Sequence, residues 1–236
     1  MENPEASTPQ LRSAESVHRR GLALAYLTCR AMIDADPGAK KMSDNILIFI
    51  DGVGLAQDLL PHELRMLQAP FGSLSARECA GTSWLSEGMA VLAWSVGLFD
   101  LPAPNQKCHP GPPAINLGMF QPGTKDRLAT AVLRNADEIE MKSLTYLALN
   151  WRIGHFVTNP AEKMDLASKL KDPASPHLLV DEVELIDGDL AIDGLPLAQV
   201  PHERAGEVFF VIRERFNAFK WLQGYAPQYA ADTTIQ

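Results

Sequence analysis

The chain has 236 residues, of which 46% are hydrophobic, and it carries a formal net charge of −8. A chain of this length can bury enough apolar surface to form a core without disulfides or a structural metal, and its acidic balance disfavours nucleic acid or an anionic membrane as a partner, because both attract positive surfaces. The three cysteines are far apart in the sequence, so the composition predicts neither a disulfide framework nor a zinc site at Cys29, Cys79 or Cys108.

The N-terminal residues predict a tail followed by a long amphipathic helix. Residues 1–11 are polar and acidic, unlike a secretory signal, so we expect a disordered tail on a cytoplasmic protein. A helix is predicted over Ser13–Ile33, because a serine suited to cap it precedes a wide apolar face. Cations are disfavoured at a helix start, so carboxylate partners elsewhere in the fold are expected for Arg12, Arg19 and Arg20.

The next segments predict shorter helices and one ambiguous stretch. The run Ile46–Leu55 predicts either a buried strand followed by a turn or a helix that carries two glycines. Residues 59–70 predict a short helix with Pro61 near its first position, and a further helical turn is expected before Gly81. Between Ser83 and Phe99, apolar residues recur at spacings of three and four, which predicts a core helix.

An irregular connection is predicted to separate this core helix from the C-terminal half. Residues 100–125 contain six prolines and three glycines, too many for regular structure. A helix is then predicted over Asn135–Phe156, and a short charged helix over residues 161–170. Residues 178–198 alternate apolar and acidic side chains around Gly188, which predicts a β-hairpin insertion.

The last predicted element is a helix over Pro201–Gln223, in which acidic residues come early and basic residues late, as the helix macrodipole favours. The predicted fold is therefore mainly α, a single globular helical domain over residues 12–236. The tryptophans lie on predicted helices beside apolar stripes, so core packing is expected for Trp84, Trp94, Trp151 and Trp221.

Local motifs for metal chemistry are each incomplete. The run around Asp51 resembles the first strand and metal-ligand aspartate of the alkaline phosphatase and cofactor-independent phosphoglycerate mutase superfamily, but the further Asp and His pairs of that site are missing. His62 and His202 each precede a glutamate on a predicted helix, without the second histidine of a zinc protease motif. Cys108-His109 has no further ligand at a suitable spacing. We expect no metal site and no cofactor.

Four segments, each present once, follow one another in an order that resembles a known protein family. They are RSAESVHRRGLALAYLTCRA, WLSEGMAVLAWSVGLFDLP, LRNADEIEMKSLTYLALNW, and RERFNAFKWLQGY followed by DTT. Together, from Arg12 to Thr233, they resemble the family called domain of unknown function 4272, which implies a mainly α-helical fold and gives no established activity.

The resemblance also implies a set of hallmark positions, which we treat as a candidate polar and aromatic binding cluster. By position they fall on Arg12, Glu15, Arg19, Glu87, Trp94, Trp151, Glu214, Arg215, Trp221, Asp232 and Thr233. Near Trp151, members often carry an Arg and a His, where this chain has Ala148 and Asn150. That departure weakens a catalytic role for the cluster.

The charge and the incomplete motifs favour a protein-binding role over an enzyme. We expect a bacterial immunity or antitoxin-like protein that neutralises a toxin or secreted effector with a basic surface, using the acidic hairpin and the proline-rich connection as contact surfaces. One alternative is a metal-dependent phosphatase-like protein that uses Asp51. Another is an enzyme or small-ligand binder that takes a phosphate or carboxylate in a pocket of Arg12, Arg19, Glu87, Glu214 and Arg215.

Overall fold

The computed structural model describes residues 10–162, 164–169 and 183–229. Across these residues the fold is mainly α-helical with a small three-stranded antiparallel sheet, as the sequence predicted. Nearly all of the predicted N-terminal tail lies outside the described residues, as do the first residues of the predicted hairpin, 178–182.

The helices are α1 (Ala14–Ile33), α2 (Lys40–Val53), α3 (Pro61–Gln68), α4 (Ala76–Ser83), α5 (Leu85–Ser95), α6 (Gly111–Asn116), α7 (Thr124–Ala129), α8 (Ala136–Thr158), α9 (Leu166–Lys169) and α10 (His202–Leu222). Short 3-10 helices lie at Pro37–Ala39, Ala56–Asp58 and Leu197–Gln199. The strands are β1 (Leu185–Ile186), β2 (Asp189–Ile192) and β3 (Leu195–Pro196). Within the described ranges, none of these helices combines the length and the apolar character that crossing a bilayer requires.

Helix α5 forms the centre of the fold. All 11 of its residues are buried, including the polar Ser86, Glu87 and Ser95, as is typical of a helix in the centre of a core. It packs against both α1 and α10, while α8 packs on α10 and the helices α2, α3 and α4 pack on α1. The three helices α1, α5 and α10 therefore form the core, and the helices α2, α3, α4 and α8 pack against it.

The start of α1 lies beside the end of α10. Ser13 caps α1, as predicted, because its hydroxyl accepts a hydrogen bond from the Ser16 amide at 3.2 Å. The Arg12 amide donates to the Leu222 carbonyl at the end of α10, at 2.9 Å. Two segments that are far apart in the sequence thus share one end of the core.

The ambiguous run Ile46–Leu55 is helical as far as Val53, so the strand alternative is wrong. Ile46 and Ile50, one turn apart on α2, are both buried, and Gly54 ends the helix with a φ of +70°. The predicted helix over Ser83–Phe99 was too long, because α5 ends at Ser95 and Gly97 turns the chain with a φ of +73°.

The proline-rich connection is more regular than predicted. It contains α6 and the start of α7, so the expectation of a wholly irregular segment over residues 100–125 was wrong. Pro112 and Pro113 lie in the first turn of α6, where a helix has no intrahelical partner for the backbone N–H that proline lacks.

The predicted β-hairpin is a three-stranded meander with two tight turns. β2 pairs antiparallel with β1 and with β3. Both turns have the sequence Asp-Gly, at Asp187-Gly188 and Asp193-Gly194, and all four residues have positive φ, which defines the type I′ turn of two-residue hairpins. The prediction identified the turn at Gly188 and missed the second one.

Candidate functional site

Two of the predicted site residues, Glu87 and Arg215, form an ion pair in the core. Both side chains are fully buried, and Nε and Nη2 of Arg215 lie 2.9 and 2.8 Å from one carboxylate oxygen of Glu87. The other carboxylate oxygen accepts a hydrogen bond from the Cys108 amide at 2.7 Å. Arg215 also donates to the carbonyls of Pro102, Ala103 and Gln106 and to the hydroxyl of Tyr146.

This pair holds the proline-rich connection against the helical core. The guanidinium of Arg215 is engaged at every nitrogen, and its carbonyl partners all belong to that connection. An arginine used in this way fixes backbone geometry, because a planar guanidinium imposes directions on several acceptors at once.

Arg12 and Trp221 also meet, at the shared end of α1 and α10. The guanidinium of Arg12 stacks on the indole ring, 4.4 Å from its centre, and donates to the Trp221 and Ala226 carbonyls, each at 2.8 Å. We expected a carboxylate partner for Arg12, and its partners in the described structure are instead carbonyl oxygens and an aromatic ring. Burial lowers the pKa of this guanidinium.

The two following arginines have the carboxylate partners that the sequence predicted. Arg19 lies 2.7 Å from Asp58, and Nη1 of Arg20 lies 2.8 Å from Glu63 in a buried pair. Arg20 also contacts the C-terminal segment, with its guanidinium 5.0 Å from the centre of the Tyr229 ring.

The remaining predicted site residues are dispersed. Trp94 is buried against Phe219, with ring centres 5.8 Å apart. Trp151 lies on α8 with 37% of its surface exposed, so the core-packing prediction was wrong for this residue. Glu15 is an exposed neighbour of Arg19 and Glu214 is buried 3.8 Å from Arg213, while Asp232 and Thr233 lie outside the described residues.

Asp51 lies on the exposed surface of α2, near its end. Among the residues that the structure describes, no group of three or more His, Cys, Asp or Glu side chains could hold a metal ion. The geometry therefore adds nothing to the resemblance of this short run to a metallophosphatase strand.

The structure brings together the two predicted contact surfaces, the hairpin and the proline-rich connection, around one cavity of about 340 Å³. We call it the sheet cleft. One wall is Ala103–Asn105 of the connection, and the other is the sheet with Val183 and Glu184. Helices α8 and α10 close it from below with Leu149, Ile153, Val208 and Ile212.

The floor of the sheet cleft is apolar and its rim is polar. The apolar side chains that line the cleft are each at most 2% exposed; they are Leu149, Ile153, Val208 and Ile212 of the floor and Leu190 and Ile192 of β2. The rim carries Asn105, Glu184 and Asp193. This combination suits a ligand with an apolar stem and a charged or polar end.

The two walls are joined by one polar cluster at the rim. Asp193 accepts a hydrogen bond from the Asn105 amide at 3.0 Å and from Nε of Arg204 at 2.8 Å. Arg204 in turn donates to the Asn105 carbonyl at 2.9 Å. The hydrogen bond from Arg204 holds the pKa of the Asp193 carboxyl below its ordinary value.

A second ion pair anchors the sheet to α8. The guanidinium of Arg152 is buried and donates to the Asp189 carboxylate of β2, from Nε at 2.8 Å. The central strand is therefore fixed to the helix that forms part of the floor. This anchor keeps the cleft in shape without using the rim carboxylates.

The surroundings of the sheet cleft are strongly acidic. Residues 183–207 contain six acidic residues and one arginine, hence a net charge of −5 in a chain whose total is −8. Arg152 of α8 neutralises one of these carboxylates, that of Asp189. A second groove, between α3 and α4, has a volume of about 400 Å³ and carries His62, Arg65 and Arg77 with Glu78. The sheet cleft, unlike this second groove, joins a cavity to the acidic residues 183–207.

Both walls of the cleft were predicted as contact surfaces, but the sequence did not predict that they contact each other. The Asp-Gly pair at 193–194 was a readable signal for the second turn. Nothing in the sequence pattern indicates that Asn105 and Asp193, 88 positions apart, share a hydrogen bond. Arg204 gave no signal either, because a basic residue in the first turn of a helix is usually solvated.

Comparison with known proteins gives one finding. The family described as "Domain of unknown function (DUF4272)" matches residues 3–176. No curated protein and no solved structure matches the chain. The matched residues end before the described part of the sheet and before α10, so the positions assigned by resemblance at Glu214, Arg215 and Trp221 lie beyond them.

Proposed function

The chain belongs to the DUF4272 family of domains of unknown function, and on that premise we propose that it is a protein-binding module whose sheet cleft receives a basic segment of a partner protein. The observation that carries this proposal is the coincidence of cavity and charge. The sheet cleft has an apolar floor and carboxylates at its rim, and it borders residues 183–207, which carry a net charge of −5.

The chemistry of basic side chains matches such a cleft. Lysine and arginine combine an aliphatic stem, which gains from an apolar floor, with a cationic end, which gains from rim carboxylates. Complementary charge also steers the two proteins together and discriminates against acidic competitors. The fixed walls support this role, because a preformed site loses little entropy on binding.

Within this class, we propose that the partner is a toxin or secreted effector and that the module acts in the bacterial cytoplasm as an immunity or antitoxin-like protein. Binding would occlude a basic working surface of the partner. The three cysteines support an intracellular location, because all are free thiols, as expected in a reducing compartment.

The test is co-expression with the product of the adjacent gene, followed by affinity pull-down and a growth assay. We expect a complex with the wild-type chain and rescue of growth. The double variant E184Q/D187N removes two exposed carboxylates at the sheet and should weaken the complex at least about fivefold.

The matched control is D51N/E140Q, which makes the same change of charge on α2 and α8, outside the cleft. It should bind as the wild type does. A wild-type chain that yields neither a complex nor rescue contradicts the proposed function. Equal weakening by both double variants would contradict the assignment of binding to the cleft.

A further inference from the structure

A cation from the same chain already occupies the rim carboxylate of the sheet cleft. Arg204 approaches Asp193 with two nitrogens, Nε at 2.8 Å and Nη2 at 3.3 Å, and Nη2 also reaches the Asn105 carbonyl at 2.9 Å. Asp193 and the carbonyl of Asn105 thus form an acceptor set that a guanidinium satisfies with its fork of donors.

This internal contact is weakly held. The Arg204 and Asp193 side chains are 34% and 49% exposed, and ion pairs at that exposure contribute at most about 1 kcal/mol. Arg204 is also in the first turn of α10, where the helix macrodipole disfavours a cation. Nη1 of Arg204 also contacts Glu207 at 3.1 Å, so the guanidinium keeps one carboxylate partner, and gains water, when it leaves Asp193.

We propose that the sheet cleft recognises an arginine side chain of the partner, and that Arg204 is an internal competitor which the partner arginine displaces from Asp193. The inference rests on the proposed function, since it specifies which basic residue the cleft receives. The incoming guanidinium takes the same acceptors, the Asp193 carboxylate and the Asn105 carbonyl, and its aliphatic stem lies on the apolar floor.

The acceptor set also predicts a preference for arginine over lysine. A lysine ammonium is a single point of charge and cannot span the carboxylate and the carbonyl as a planar fork does. A partner segment that carries only lysine therefore leaves Arg204 in place. Arg204 in this way raises the selectivity of the cleft at a cost in affinity.

The test is an NMR titration of the whole chain with three acetylated and amidated tripeptides, Gly-Arg-Gly, Gly-Lys-Gly and Gly-citrulline-Gly. The variant R204Q removes the competitor. Its affinity for the arginine peptide should exceed that of the wild type about two- to fivefold, the range expected for loss of a half-exposed ion pair. The citrulline peptide, which has the same shape without the charge, should not bind.

The charge-matched control is K220Q, near the other end of α10, which should bind the arginine peptide as the wild type does. In R204Q/D193N the gain should disappear, because the acceptor carboxylate is gone. The variant R204K keeps the charge of Arg204 without its fork and should show an intermediate affinity. This result would distinguish loss of the competitor from a structural change of the sheet in R204Q.

An R204Q affinity no higher than that of K220Q, or an equal gain for the lysine peptide, would overturn the inference. Its failure is separable from failure of the proposed function. If the partner complex forms and E184Q/D187N weakens it while R204Q gains nothing, only the arginine site is wrong. If R204Q gains affinity for the arginine peptide but no partner is found, the proposed function is wrong and the arginine site stands.

Discussion

Three arginines of this protein each hold a segment outside the helices to a helix. Arg215 holds the proline-rich connection, Arg152 holds β2, and Arg12 holds the segment after α10. A buried guanidinium is retained only when its charge and its donors are matched. Removal of one partner therefore has a larger effect on stability than the loss of an exposed pair.

For Glu87→Gln we expect a fall of about 3 to 5 kcal/mol in the free energy of unfolding, because Arg215 is left buried without its counter-charge. Urea denaturation measures this change, and limited proteolysis should detect new cleavage in the proline-rich connection. The control is Glu138→Gln, which breaks an exposed pair with Arg134 and should cost less than about 1 kcal/mol. Similar losses in the two variants would contradict this assignment.

His18 gives a pH dependence at the residue scale. Burial lowers its pKa below the ordinary value of 6.5, although the hydrogen bond to the Leu117 carbonyl, at 2.9 Å, opposes the shift. The unfolded chain therefore binds the proton more readily, and the free energy of unfolding should fall as the pH drops below about 6.5. The fall should level off once the pH is below the folded pKa.

The variant His18→Gln retains a donor for the Leu117 carbonyl and has no proton to gain. The difference between wild type and variant in urea midpoint should therefore depend on pH between about 7 and 5. Parallel curves for the two proteins would show that His18 does not contribute to the acid sensitivity.

Single residues were predictable from the sequence where their role is local. Ser13 caps the helix that follows it, and Arg19 and Arg20 found carboxylates, because a cation near a helix start has an electrostatic reason to need them. The partners of Arg12 and Arg215 were not predictable. They are mostly backbone carbonyls far along the chain. Because every residue has such a carbonyl, the sequence does not indicate which one accepts the hydrogen bond.

At the scale of elements, the segment after α10 packs into a notch on the central helix. The notch is Gly88, where an added Cβ would lie 1.6 Å from the hydroxyl of Tyr229. Tyr229 is buried there and contacts Trp221 and Arg20 as well. The glycine in α5 is therefore required by packing and not by its backbone conformation.

For Gly88→Ala we expect a lower free energy of unfolding and a displaced Tyr229, since the side chain and the new methyl cannot occupy the same space. The control is Gly206→Ala in α10, where a Cβ would meet nothing within 4 Å and alanine should stabilise the helix by up to about 1 kcal/mol. Tyr229→Ala in the Gly88→Ala background should cost less than the sum of the two single changes, because it removes the clash. If the two changes in the free energy of unfolding were fully additive, they would contradict the contact between Gly88 and Tyr229.

The elements themselves show where sequence patterns are sufficient. α1 and α10 were predicted nearly to the residue, because caps, breakers and apolar periodicity agree at both ends. The run Ile46–Leu55 stayed ambiguous, since a short apolar stretch matches both periods and only burial on α1 decides between them. The helix over residues 111–116 was missed because prolines in a first turn resemble those of a loop.

At the scale of the whole molecule, the charge is unevenly distributed, and this predicts a salt effect. An increase in ionic strength from about 0.01 M to about 0.15 M shortens the Debye length from roughly 30 Å to roughly 8 Å. The association rate with a basic partner should therefore fall markedly, while the dissociation rate changes much less. Stopped-flow measurement at several salt concentrations tests this, and an association rate that is independent of salt would contradict electrostatic steering.

The mainly α-helical architecture was predictable from the sequence, because it is the sum of local patterns. The sheet cleft was not, since its walls come from residues 103–105 and 183–194 and its floor from α8 and α10. Two of these pieces were already identified as contact surfaces. Their assembly into one site depends on tertiary contacts such as the one between Asn105 and Asp193.

The hydrogen bond between the Arg12 amide and the Leu222 carbonyl joins the two ends of the core, so the core cannot be completed until the end of the chain has been synthesised. Helices α1 and α5 are complete long before α10 leaves the exit tunnel, and at roughly 5 to 20 residues per second the delay between Ser95 and Leu222 is on the order of ten seconds. During that interval α5 lacks α10, one of the two helices against which it packs most extensively. A nascent chain with such an uncovered apolar helix is a natural client for a chaperone.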